Sequence, residues 1–267
     1  MKPICIALFL TFALVKACFS QQVKVVELYV LGAETESVWS GHELKFPFII
    51  TSDKAVQANI NKTILEQIFD SGAINVSDTN SIKQAIDTQA TEYISEITFE
   101  VTLNSGNWLQ INITQTGVAA YSFENTHYFL FNTQTGNRYM LIDLVKTDKQ
   151  NLFAKKVLAD QKDSLNNYLL NIKNELLAIG AEDDSSTINE IADLISQCYE
   201  YMDEKNETGH YDFHLAKDRI LIETSCGFPR YARVFQPYYR ITYHADYIKD
   251  YLLPELYQQL ISEKGKK

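Results

Sequence analysis

Glycine and proline are scarce in this sequence, at 10 and 5 of 267 residues, and neither gathers into a block. The scattered glycines exclude a phosphate-cradling Gly-x-x-x-x-Gly-Lys loop, and no Gly-x-Ser-x-Gly elbow is present to present a serine nucleophile. Basic residues are also in deficit: 24 Lys and Arg stand against 34 Asp and Glu, a formal net charge of −10. The one basic cluster is the short end Lys264-Gly265-Lys266-Lys267. Phosphate backbones bind clustered Lys and Arg, so nucleic acid is excluded as a partner. A basic protein or a neutral glycan suits such a surface better.

What the chain has at its start is an export signal. Met1-Lys2-Pro3 is a short positive segment, and Ile4 to Val15 is an apolar run of leader length, too short to span a bilayer. Cys18 and Ser20 place small residues three and one positions before Gln21, the spacing a signal peptidase reads. Residues 1–20 are therefore expected to be removed, giving a periplasmic or secreted protein with no membrane span after cleavage. The alternative makes Cys18 a lipidated cysteine, although Lys16 sits where that motif wants a small neutral residue. Lys2 and Lys16 leave with the leader, which takes the net charge from −10 to about −12. Of four cysteines, Cys198 and Cys226 remain, and an oxidising compartment favours a disulfide between them. Two buried free thiols are the alternative reading. Asn61, Asn75, Asn112 and Asn206 head Asn-x-Ser/Thr triplets, which chance explains in a chain this rich in Asn.

Along the chain, 23–50 reads as extended, with Pro47 marking an edge or a bulge. Asp53 is placed to cap a helix carrying Val56, Ile60, Ile64 and Ile68 on one stripe. Residues 73–90 are polar and weakly patterned. From 93 the period becomes two: Ile97, Phe99 and Val101 alternate, Asn104–Asn107 turns, and Leu109, Ile111 and Ile113 alternate again. His127–Asn132 and Arg138–Val145 read as further strands of a meander. Helices are expected from about Asp148 to Ala178 and from Thr187 to Met202, with Cys198 on the apolar face of the second. A hairpin around 213–223, a strand over Tyr239–Tyr243 and a terminal helix broken or restarted at Pro254 complete the pattern. Clustered strands and helices imply α+β: an antiparallel sheet meander packed with helices, in two similar-sized, closely packed halves. The expected division is 21–92, a strand-helix part, and 93–267, an antiparallel sheet and helix part.

Three stretches together carry a family resemblance. Leu44 to Leu65, Phe129 to Leu144, and Phe213 to Tyr243 with the following helix resemble an exported bacterial module of unknown function. That module is found outside the membrane in RsiV-type lysozyme-sensing anti-sigma factors and as an accessory region of PdaC-type peptidoglycan deacetylases. The family often carries a Gly-Gly-Ala-His-like turn; this sequence has Phe123-Glu124-Asn125-Thr126-His127, matching only at His127. With neither a sigma-binding segment nor a deacetylase domain expected around it, the resemblance implies a free-standing exported module. Such a module would engage a cell-wall ligand or a basic wall hydrolase.

Residues with chemical potential are few. His210, Asp212 and His214 alternate, so on a strand they share a face and can hold zinc; a polar strand edge is the simpler reading, with no fourth ligand assigned. Cys226 with His244 as a thiol nucleophile competes with the disulfide. Glu182-Asp183-Asp184 and Asp203-Glu204 suit helix ends better than the opposed carboxylates of a glycosidase. Tyr238, Tyr239, Tyr243, Tyr247 and Tyr251 form the most unusual group, a candidate binding surface for protein or sugar. The expectation is therefore a non-enzymatic binding module without cofactor; a cell-wall glycan hydrolase and a purely structural envelope protein are the rivals. Mass spectrometry of exported material is expected to show Gln21 as the first residue. An uncleaved chain or a lipid on Cys18 overturns that reading.

Overall fold

The computed structural model describes residues 23–31, 43–69, 76, 78–89, 94–118, 122–178, 185–208, 211–226, 228–229, 232 and 235–264. The expected leader, with Cys18, and the sequon at Asn75 lie outside them. Two compact units emerge, Met1–Arg138 and Tyr139–Lys267.

The first unit is a five-stranded sheet in the order β1-β2-β3-β4-β5, built from β1 (Lys24–Leu31), β2 (Glu43–Ile50), β3 (Ile94–Ser105), β4 (Trp108–Val118) and β5 (Ser122–Asn132). Helices α1 (Lys54–Phe69) and α2 (Thr79–Gln89) come between β2 and β3. Asp53 caps α1 as expected, its Oδ1 accepting the Ala55 and Val56 amides at 2.8 and 3.3 Å. Val56, Ile60, Ile64 and Ile68 then bury a stripe that joins Phe46, Ile97, Ile111 and Phe129 in one apolar core. At the tight turn after β5, Gly136 adopts φ +75°, and a Cβ there would come within 3.0 Å of the Val56 carbonyl.

Where β2 meets β3 the sheet is incomplete. Their parallel ladder covers only Glu43↔Glu96 and Leu44↔Ile97, stopping short of Pro47, which has no amide hydrogen to give. Pro47 thus sits on an inner strand, but beyond the reach of the ladder. Farther along, Asn61 of α1 takes the place of a neighbouring strand: its Oδ1 accepts the Ile49 N–H and its Nδ2 donates to the Ile49 C=O, each at 2.9 Å. The same Nδ2 also reaches the Gln57 carbonyl, and the side chain is 1% exposed. Its sequon is consequently closed to modification in the folded unit.

The second unit contains α3 (Gln150–Ala178), α4 (Ser185–Thr208), α5 (Ala245–Ile248), α6 (Pro254–Lys264) and an antiparallel sheet β6-β7-β8 of Asp212–Ala216, Arg219–Ser225 and Tyr238–His244. Ile191, Leu194, Ile195, Cys198 and Met202 make the buried face of α4, packed with Leu165 and Ile172 of α3. Lys162 and Asp203 join the two helices at 2.8 Å. Cys198 is bonded to Cys226, so the helix is stapled to the chain leaving β7. Closing that 28-residue separation stabilises the fold by roughly 3.5 kcal/mol in the chain-entropy account.

The fold class is α+β, as read from the pattern, with several local corrections. The compact units divide after Arg138 and not at 92/93, because β3 pairs with β2 in a single sheet. Residues 138–145 are not a strand: the Asp143 side chain accepts the Met140 amide at 2.8 Å and bends Leu141–Leu144 into a 3-10 turn. Helix α2 arises where the sequence looked unpatterned, capped by Asp78 and buried through Ile82 and Ile86. The terminal helix is two, restarted at Pro254, although Ile248, Leu252, Leu256 and Leu260 are all buried. Among the described residues no helix is long and apolar enough to cross a membrane.

Asn61→Leu keeps the branched outline of the side chain but strands the buried Ile49 amide and carbonyl. Each such group costs about 1–3 kcal/mol, so urea unfolding is expected to show a loss of ~3 kcal/mol. A loss below ~1 kcal/mol would mean that Asn61 does not close the gap in the sheet.

Candidate functional site

Strand β8 divides its residues by alternation. Ile241 and Tyr243 pair with Ile222 and Ile220 on the apolar face, while Tyr238, Arg240, Thr242 and His244 are exposed on the other. On that outer face the Glu223 carboxylate, 7% exposed, accepts the Arg240 Nε–H at 2.6 Å and the Tyr238 hydroxyl at 3.0 Å. His214 Nδ1 lies 3.8 Å from the same carboxylate. Tyr238 is 66% exposed, so its ring projects from a hydroxyl that is tied down. Partial burial, then the bond to Glu223, raises its pKa above the usual tyrosine value.

A second cluster forms where α3 meets the end of β8. The Tyr243 hydroxyl donates to Asp160 Oδ2, which also receives the Lys156 ammonium at 3.0 Å. Lys156 lies over the rings of Tyr243 and Tyr247, 5.4 and 5.5 Å from their centroids. Phe153 packs against Tyr243 and Tyr251. Burial, reinforced by the Asp160 carboxylate, pushes the Tyr243 pKa far up, and burial lifts Tyr211 to about 12. The bond to Asp160 holds Lys156 above its ordinary value against the opposing effect of burial. Here two of the aromatic rings already face a cation of the protein's own.

The five tyrosines therefore do not make one surface. Tyr238 and Tyr247 are exposed, at 66% and 74%; Tyr251 is half-buried, Tyr243 is buried, and the Tyr239 side chain lies outside the described residues. Asp212 and His214 do project from one side of β6, whereas His210 lies outside the described residues. No three His, Cys, Asp or Glu side chains among the described residues are grouped to hold a metal ion. His244 Nδ1 stands 3.9 Å from Asp218, and Cys226 is committed to Cys198, so the two supply no thiolate pair. Glu223, Arg240, Lys156 and Asp160 went unremarked in the sequence: Tyr238 and Glu223 are 15 positions apart and Tyr243 and Asp160 are 83, distances no local motif spans.

No protein-family model matches the chain, and no curated protein is significantly similar to it in sequence. Solved structures are similar in fold. A DUF3298 family protein of Pseudomonas aeruginosa PAO1 matches 90% of this chain and 98% of its own, with TM-score 0.52 and 10% identity. A DUF3298 member from Bacteroides fragilis NCTC 9343 matches 92% and 99%, with TM-score 0.52 and 13% identity. The chain has the DUF3298 fold. Identities this low speak for architecture alone, and both proteins are described by family without an activity.

The raised Tyr243 and Lys156 values set the sign of an alkaline effect. In the folded state the phenol stays neutral and the ammonium charged beyond the pH at which the unfolded chain releases both protons, near 10 and 10.5. Their stabilisation is complete below that range and is lost as pH rises through it. Tyr243→Phe is expected to cost about 1 kcal/mol at neutral pH and to flatten the fall in unfolding free energy above pH ~10. Denaturant titrations across pH that gave parallel curves for the two proteins would show that Tyr243 is not held neutral.

Proposed function

We propose that this chain is an exported, non-enzymatic binding module of the bacterial envelope, in which Tyr238 makes the central contact. The observation that carries the reading is a large exposed ring held by a nearly buried carboxylate. Such a side chain offers stiff amphipathic area at little entropic cost, the property that makes tyrosine effective in interfaces. The carboxylates beside the exposed tyrosines are engaged in pairing: Glu223 with Arg240, and Asp160 with Lys156. That engagement favours contact over proton transfer. Bonded Cys198 and Cys226 suit an oxidising compartment, and the DUF3298 fold suits a bacterial source.

A net charge of −10, about −12 without the expected leader, draws a basic partner and repels anionic polymers. The partner is therefore a basic envelope protein, such as a wall hydrolase, or a neutral wall glycan. A relationship to RsiV-type sensors or PdaC-type accessory regions, as the sequence resemblance implies, would agree with either. Calorimetry at physiological salt, against basic wall hydrolases and soluble peptidoglycan fragments, is expected to give saturable binding. Tyr238→Ala should weaken it at least tenfold, mostly through dissociation. Raising the salt should mainly slow association. Saturable binding to none of these ligands, or turnover of the glycan, would reject the reading.

A further inference from the structure

The outer edge of β5 is open over only part of its length, and the two bonds that close the rest reveal which backbone groups point outward. Arg138 Nη2 donates to the Tyr128 carbonyl at 3.0 Å, and the Asn132 amide donates to the Asn137 carbonyl at 2.9 Å. Phe131 and Arg138 also form a bridge. In an antiparallel ladder the N–H and C=O of one residue point to the same side, alternating along the strand. Even-numbered residues of β5 therefore turn their backbone groups away from β4. From Tyr128 onward these groups meet the 137–138 segment. Before it, the outward N–H and C=O of Ser122, Glu124 and Thr126 have no partner among the described residues, and Ser122, Glu124 and Asn125 are exposed. The stretch carries no Lys or Pro, and its register with β4 runs without a bulge, so the usual protections of a sheet edge are reduced to the single charge of Glu124.

We propose that two copies of this chain associate by pairing these β5 edges antiparallel about a twofold axis through Asn125. Residues that face each other across such an axis share a side of the sheet, so the axis must pass through a residue. At Glu124 it would set two carboxylates directly opposite. At Thr126 it would face Glu124 with Tyr128, whose carbonyl Arg138 already occupies. At Phe123 the pairing would run into residues 119–121, beyond the described strand. At Asn125, Glu124 meets Thr126 of the second copy twice over, using the outward N–H and C=O of both residues, and the pairing ends where Ser122 would meet Tyr128, whose carbonyl Arg138 already holds. Phe123 then meets His127, and the two Asn125 amides meet each other. The two Glu124 carboxylates are kept apart, which is the complementarity that a second copy supplies and an arbitrary strand does not. The contact is small beside the ~1,200 Å² of a stable interface, so the association is weak and depends on concentration.

Cross-linking reads the register directly. Facing residues in a non-hydrogen-bonded pair have Cα atoms about 4.5 Å apart, within the range a disulfide bridges, whereas two Ser122 residues would be separated by roughly 20 Å. In the leaderless, oxidised chain, Asn125→Cys is expected to form a covalent dimer under mild oxidation while Ser122→Cys stays monomeric. Sedimentation of the unsubstituted chain should show reversible dimerisation that Asn125→Lys abolishes, with circular dichroism unchanged because the site is exposed. Equal cross-linking by the two cysteine variants, or a monomer at every concentration up to about 1 mM, would overturn the proposal. So would protection of the β5 amides from exchange by an added extended peptide in a chain that remains monomeric, since that would assign the edge to another protein. None of these outcomes bears on Tyr238, so this pairing and the proposed ligand contact stand or fall separately.

Discussion

A buried backbone must find hydrogen-bond partners, and in the first unit that requirement is met by one side chain at the place where the sheet parts. β2 pairs with β3 over two residues only, and beyond them the amide and carbonyl of Ile49 face the interior. Asn61 supplies one acceptor and one donor with the spacing of a neighbouring strand, both at 2.9 Å. An apolar residue there would pack equally well and leave both groups stranded. The arrangement lets α1 lie against β2 with Ile60 and Ile64 in the core. Asp53, which starts α1, and Asn59, which donates to Gly136 at 3.0 Å, then set the helix against the turn that follows β5.

The second unit solves a different problem, holding a long helical hairpin to a sheet of three short strands. Cys198–Cys226 links α4 to the end of β7, and the Tyr243–Asp160 bond links β8 to α3. This second link explains why the tyrosines part company. One that is needed to anchor a helix has to be buried with its hydroxyl satisfied, which removes Tyr243 from any binding face. Tyr247 covers the same lysine from outside. Tyr238, on the opposite face of β8, keeps its ring exposed because Glu223 restrains only the hydroxyl.

Much of the fold was legible because periodicity is local. The stripe Val56, Ile60, Ile64, Ile68 marked α1, and the alternation around Asn104–Asn107 marked the β3–β4 hairpin, whose turn places Gly106 at φ +64°. The misses have local causes as well. In α2, only Ile82 and Ile86 signal burial among polar neighbours, too few for a period to show. In Leu141–Leu144 the apolar residues suit a strand, but Asp143 captures the backbone three residues earlier and turns it.

By itself the sequence determined most of the elements, the inward face of Cys198 and a net negative charge. Each follows from composition or from spacings of two to four residues, which backbone geometry converts directly into a face. Only tertiary structure decided which tyrosines are exposed, where the units divide and which stretch of β5 meets no partner among the described residues. Those outcomes depend on partners beyond the reach of local periodicity, Asp160 at 83 positions from Tyr243 and Glu223 at 15 from Tyr238, and on Arg138 reaching back to Tyr128. A tyrosine contributes the same ring and hydroxyl wherever it falls in the chain; whether it becomes core or contact surface depends on where folding places an acceptor for its proton.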